Sequence, residues 1–180
     1  SVAYPFWMSQ LAANANAVKA GETAHGIVTE PFFHMFTHLG GSGATIGLVI
    51  FMLLSKSKQI KQVGLTSIIP AIFNINEPVI FGLPIVLNPM LFIPFILGPA
   101  IIVTINYILF ATHILPPIVI QPPFTVPIFL GGFIATGGSV TAGLVQIMDA
   151  AIAALIYWPF FKRYERSLLE QEKQDAADAE

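Results

Sequence analysis

A chain of 180 residues with 55% hydrophobic and only 10% charged side chains, and a mean hydropathy of +0.76, excludes an ordinary soluble domain. Such domains carry about 25% charged residues, so the deficit points to lipid as solvent. The net charge of −2 offers no basic patch for nucleic acid, and with no cysteine the chain has no disulfide, thiolate chemistry or cysteine metal site.

Residues 1–31 join an apolar patch, Val2 to Leu11, to a polar stretch, Asn14 to Glu30. They read as the end of a preceding membrane segment and an exposed loop. No charged region followed by an apolar run marks a signal peptide. The chain opens on Ser1 without a Met, so it is expected to be the C-terminal part of a longer protein.

Residues 32–54 read as the first span, since about 20 residues cross the bilayer core. Gly43 and Gly47 have the small-xxx-small spacing that lets another backbone approach. Ser55 to Lys61 is short and basic, and basic loops stay cytoplasmic. The next basic cluster is Lys162, Arg163 and Arg166, so an even number of crossings lies between. Eleven of the fourteen prolines fall between Pro70 and Pro127. Interior prolines break helices, and broken backbone at membrane depth needs protein or a watery cavity around it. Residues 64–89 and 114–138 therefore read as re-entrant or broken hairpins, and 90–112 and 140–161 as full spans. Asn76-Glu77-Pro78 and Gln121-Pro122-Pro123 make the two hairpins loosely alike, and paired interrupted segments point to a transporter's binding site. The expected fold is an all-α, multi-spanning membrane protein with two re-entrant hairpins. Its membrane-embedded, substrate-binding part is 32–161, followed by a charged cytoplasmic tail, 162–180, that is helical or disordered.

Glu77 is the only formal charge between Lys61 and Asp149. An ionisable group at membrane depth costs about 2.5 kcal/mol or more, and such residues are functional by default. The competing reading is a structural carboxylate tying down helix ends. As a site residue, Glu77 would accept sugar hydroxyls, take a proton or hold a cation. Asn76 beside it both donates and accepts. His34 and His38, at i and i+4 on one helix face, have zinc-binding spacing, but no third ligand is near. No metal or cofactor is expected. His113 reads as interfacial or pore-lining. The run Gly40-Gly41-Ser42-Gly43 lacks the Lys of a phosphate loop; it reads as close packing or as backbone approaching a solute. Phe124 and Phe129 are candidates to stack on a sugar face, Phe124 ahead because Gln121 and Thr125 are near.

Three stretches carry a resemblance: Gly40-Gly41-Ser42-Gly43-Ala44-Thr45, Phe73-Asn74-Ile75-Asn76-Glu77-Pro78, and Phe81-Gly82 through Asn88-Pro89. With Ala135 to Gly138 and Tyr157 to Phe161, they resemble the membrane component, enzyme IIC, of the bacterial sugar phosphotransferase system. The branch is the lactose, cellobiose and diacetylchitobiose one. The resemblance implies a permease subunit, not an enzyme by itself. It would bind a disaccharide near the bilayer midplane and pass it to a phosphorylated IIB protein at the cytoplasmic face. It further implies a multi-pass protein of the bacterial cell membrane in contact with lipid, a homodimer when intact, and an N-terminal half that completes the site. Glu77 would bond the sugar near its phospho-acceptor hydroxyl. The family's His in a short Gly-rich motif would lie before Ser1. Two positions depart from the family: His38-Leu39 replaces Asn-Ile, and Phe124 replaces a Trp. The candidate substrate-binding set is Glu77, Asn76, Phe124, His38, Gly40 and Gly41. The alternative is a proton- or ion-coupled secondary transporter with Glu77 as its coupling carboxylate. An intramembrane enzyme is the weakest reading, because Glu77 has no partner carboxylate or metal.

Overall fold

The computed structural model describes residues 2–178, and every regular element among them is helical. In chain order these are α1 (Tyr4–Lys19), α2 (Glu30–Phe36), α3 (Ile46–Leu53), α4 (Lys58–Ile72), α5 (Glu77–Gly82), a 3-10 turn (Ile85–Leu87), α6 (Pro89–Ala111), α7 (Leu130–Ala135) and α8 (Val140–Asp178). Two of them, α6 and α8, are long and apolar enough to cross a membrane. Asn88 starts α6 by accepting the Met90 N–H at 3.0 Å, with Pro89 in the first turn where no donor is missed. Helix α8 does not stop at Phe161 but runs on into the charged tail as far as Asp178.

Helix α8 packs against α6, α3, α7 and α2, and α3 packs against α4. At Gly47 a Cβ would stand 2.5 Å from Ala154 Cα, so only glycine lets α3 lie this close to α8.

The 32–54 segment corrects the expectation of one continuous span. It is two short helices, α2 and α3, separated by an irregular turn over residues 37–45. Gly40, Gly41 and Gly43 take φ of +74°, +98° and +82° there, and Ala44 takes +53°. A break between two helices strands carbonyls that need partners from elsewhere. Here side chains from elsewhere reach them. Gln146 Nε2 donates to Met35 O at 2.5 Å, Asn106 Nδ2 to Phe36 O at 2.8 Å, Thr45 Oγ1 to Gly40 O at 2.7 Å, and Tyr157 OH to Gly43 O at 2.8 Å. Asn76 Nδ2 donates to Ser42 O. The same break leaves His38 beyond the end of α2, so the two histidines do not share a helix face. Their rings still lie 5.7 Å apart between centroids.

Residues 64–89 form a helix, a turn and a short helix, with α4 beginning earlier than expected, behind its Ser57 cap. Residues 114–138 are not a helical hairpin. The five prolines Pro116, Pro117, Pro122, Pro123 and Pro127 push their predecessors out of the helical region, and regular helix returns only at α7. The extended run is held where the Val119 and Ile120 N–H groups donate to Ala135 O at 2.9 and 3.1 Å.

The stretch after α1 is exposed over residues 20–23 and is tied down beyond them. Buried Asn14 holds Gly26 at both its N–H and its carbonyl, and donates to Ile118 O at 3.0 Å.

The charged end of α8 clasps the basic turn between α3 and α4. Buried Glu165 accepts from Ser55 Oγ at 2.7 Å, the Lys56 N–H at 2.9 Å and Lys162 Nζ at 2.9 Å. Seven residues on, Glu172 accepts from Ser57 Oγ at 2.6 Å. Burial works against Glu165's charged form, but the bonds from Lys162, Ser55 and Lys56 outweigh it and hold the carboxyl below the usual carboxylate range. Its contribution is therefore complete above the unfolded value of about 4.3 and fades as pH falls through the lower folded value. Glu165→Gln in the intact protein is expected to cost about 1.5–3 kcal/mol at pH 7, the scale of a hydrogen bond to a charged group. Thermal unfolding should show the gap from wild type closing below about pH 4. A gap that persists unchanged at pH 3 would refute the clasp.

Candidate functional site

The turn after α4 builds the site. Asn74 sits at φ +60°, a left-handed conformation that Asn tolerates. Its Oδ1 accepts the Gly40 N–H at 2.9 Å, and its Nδ2 donates to Phe124 O at 3.0 Å and Val126 O at 2.9 Å. One side chain thus ties together the glycine turn, the α4–α5 turn and the proline-rich extended run. Asn76 makes the second tie, to Ser42 O. A Cβ on Gly41 would stand 2.4 Å from Asn76 Cγ, so glycine is required for this contact.

These ties surround a cavity of about 210 Å³ lined by His34, His38, Gly41, Ser42, Asn74, Ile75, Asn76, Glu77 and Phe124. Five of the six expected site residues, Glu77, Asn76, Phe124, His38 and Gly41, meet on its wall. Gly40 does not line it. It acts one step back, where its N–H meets Asn74 and a Cβ would strike Ile46 N at 2.6 Å.

Glu77 is not enclosed by this chain. It is exposed at the first residue of α5 and faces the cavity. Among the described residues its carboxylate has no hydrogen-bond or ion-pair partner, in contrast to Glu30, Glu165 and Glu172. The structural reading of Glu77 as a tie for helix ends therefore finds no support. Asn76 is 5% exposed with its donor spent on Ser42 O, which leaves mainly its Oδ1 for a solute. Phe124 is 60% exposed and lines the cavity.

A second recess, about 580 Å³, adjoins the first through their shared residues His34 and Phe124. Glu30, Gln121, Pro122 and Pro123 complete its lining. Glu30 is a residue that sequence reasoning missed by assigning it to a loop. It is 7% exposed, opens α2 and pairs with His34 Nδ1. The signal was present: Thr29-Glu30-Pro31 has the form of a helix start, and His34 follows Glu30 at i+4. His113 lies elsewhere, in a separate recess with Phe110 and Pro117. Phe129 stacks on Phe133 and faces Gly143 rather than the site. Among the described residues no cluster of three His, Asp or Glu could hold a metal.

Residues 2–99 match the family model described as phosphotransferase system, EIIC. The chain belongs to the phosphotransferase system EIIC family. Among its relatives are the lichenan permease IIC component of Bacillus subtilis (strain 168), 44% identical over 93% of this chain, and the cellobiose-specific EIIC component of Geobacillus stearothermophilus, 39% identical over 95% of it. The crystal structure of ChbC, the IIC component of the N,N'-diacetylchitobiose-specific phosphotransferase system, superposes with a TM-score of 0.92 over 96% of this chain at 38% identity. This EIIC chain spans 38–40% of the length of these proteins.

Proposed function

We propose that this EIIC chain forms the sugar-binding part of a phosphotransferase permease, which takes up a disaccharide such as cellobiose, diacetylchitobiose or lactose for phosphorylation by a IIB partner. The observation that carries this is the carboxylate of Glu77, which has no partner among the described residues and sits on a broken segment beside a cavity whose wall is tied together by Asn74 and Asn76. An ionised carboxylate is acceptor-only, so it suits sugar hydroxyls, and charge-assisted bonds are the strong ones. Phe124 offers the apolar face on which a pyranose ring stacks. The exposed position of Glu77 fits a site completed by the N-terminal half of the permease. On this reading the intact protein is a multi-pass, lipid-embedded homodimer of the bacterial cell membrane. Its α8 tail and the basic Ser55–Lys61 turn face the cytoplasm, in keeping with the positive-inside rule. The segments 64–89 and 114–138 re-enter the membrane without crossing it. The chain itself transfers no phosphoryl group.

Uptake of labelled cellobiose by vesicles containing the intact permease tests this. With phosphoenolpyruvate and the soluble phosphotransferase proteins inside, the expected product is sugar phosphate, formed in the presence of a proton uncoupler. Accumulation of free sugar that collapses with the uncoupler would overturn the proposal in favour of proton coupling.

A further inference from the structure

Asp149 is a buried carboxyl that the sugar site does not use. It is 0% exposed within this chain alone, as is Asn106 on α6 opposite it. Asp149 Oδ2 accepts from Asn106 Nδ2 at 2.8 Å, and the same amide nitrogen donates to Phe36 O at 2.8 Å. Two oxygens of the pair, Asp149 Oδ1 and Asn106 Oδ1, have no partner among the described residues.

Among the described residues no cationic side chain is bonded to this carboxyl, whose one side-chain partner is the Asn106 amide. The elements packed against α8 are α6, α3, α7 and α2. Helices α3, α6 and α7 carry no Asp, Glu, Lys, Arg or His. Helix α2 carries Glu30 and His34, bound to each other, and His38 follows it facing the sugar cavity. The nearest charged residue on α8 itself is Lys162, whose Nζ is bound to Glu165. An ionised carboxylate left buried without a counter-charge is strongly destabilising.

One proton removes every fault at once. Placed on Asp149 Oδ1, it abolishes the charge, turns an orphan acceptor into a donor, and supplies the partner that Asn106 Oδ1 lacks. The acid O–H donating to Asn106 Oδ1 would then close a ring with the observed N–H to Oδ2 bond. We propose that Asp149 is a buried proton-binding site, and that its neutral acid pairs with Asn106 in this way. The pair joins α6 to α8, and through Phe36 O it secures the end of α2 where the glycine turn begins. Asp149 is thus a positioning residue for the cavity wall, acting through Asn106.

Infrared difference spectra of the intact permease at pH 7, wild type minus Asp149→Asn, test this. The expected result is a protonated-carboxyl C=O band present in the wild type and lost in the variant, with slow deuterium exchange because the group is buried. Carboxylate bands in its place would show an ionised Asp149 and overturn the proposal. Should Asp149→Asn fail to fold, Asn106→Leu reads the pair from its other side. Freed from the amide, the acid's C=O band should move to higher frequency, and an unmoved or absent band would overturn the proposal.

Discussion

Glu77→Ala in the intact permease is expected to abolish measurable sugar binding while the protein inserts and folds as before. The folding half follows from geometry. Glu77 is exposed at the first turn of a six-residue helix and has no partner among the described residues. Substitutions at such positions usually change stability by no more than about 0.5 kcal/mol. The binding half follows from charge. One hydrogen bond to a charged group is worth about 1.5–3 kcal/mol, which is roughly 10- to 150-fold in affinity. Two sugar hydroxyls on one carboxylate would multiply that loss. Glu77→Gln keeps the shape but not the charge and should fall between the two. Calorimetry with cellobiose, alongside a thermal unfolding scan, checks both halves. An alanine variant that binds cellobiose like the wild type would refute the role, and one that unfolds would reveal a structural duty that the geometry does not show.

The largest folding effect is expected at Gly43. Its φ is +82°, a region that costs a residue with a Cβ about 1–2 kcal/mol. Its Cβ would also stand 2.2 Å from the Phe95 ring, and its carbonyl anchors the buried Tyr157 hydroxyl. Shifting the turn to relieve the clash would break that bond, adding about 1–3 kcal/mol for a buried unsatisfied group. Gly43→Ala should therefore cost about 3 kcal/mol or more and sharply lower the yield of folded permease. Adding Phe95→Ala should return part of the loss by opening space, but not the backbone cost. A Gly43→Ala protein with the wild-type unfolding midpoint would show that the turn is softer than this geometry implies.

These two residues mark what a sequence reader can and cannot see. The isolation of Glu77 is visible at once, because charge in an apolar run is conspicuous at any fold. The long helices are equally visible, since length and hydropathy alone define α6 and the first part of α8. The proline density foretold disruption after Pro70, although not its form. Between Leu115 and Pro127 the chain has no regular helix, because closely spaced prolines deny it donors and helical angles. The break between α2 and α3 was missed for a different reason. Its hydropathy is that of a span, and the glycines that permit the break also serve ordinary close packing.

What composition and order determined by themselves is therefore the solvent, the long helices and the singular carboxylate. All three are local sums over neighbouring residues. Which backbone groups go unpaired, and which side chains answer them, was decided only by the tertiary structure. Gln146, Asn106 and Tyr157 lie 70 or more residues from the carbonyls they satisfy, and Asn74 and Asn76 lie 34 from the turn they clasp. Hydrogen bonds pair groups by position in space, so no period or motif along the chain encodes them. The same applies to Glu77. The sequence marked it as exceptional, and only the fold showed that Asn74 and the Asn76 amide are spent on the cavity wall while the Glu77 carboxylate has no partner among the described residues.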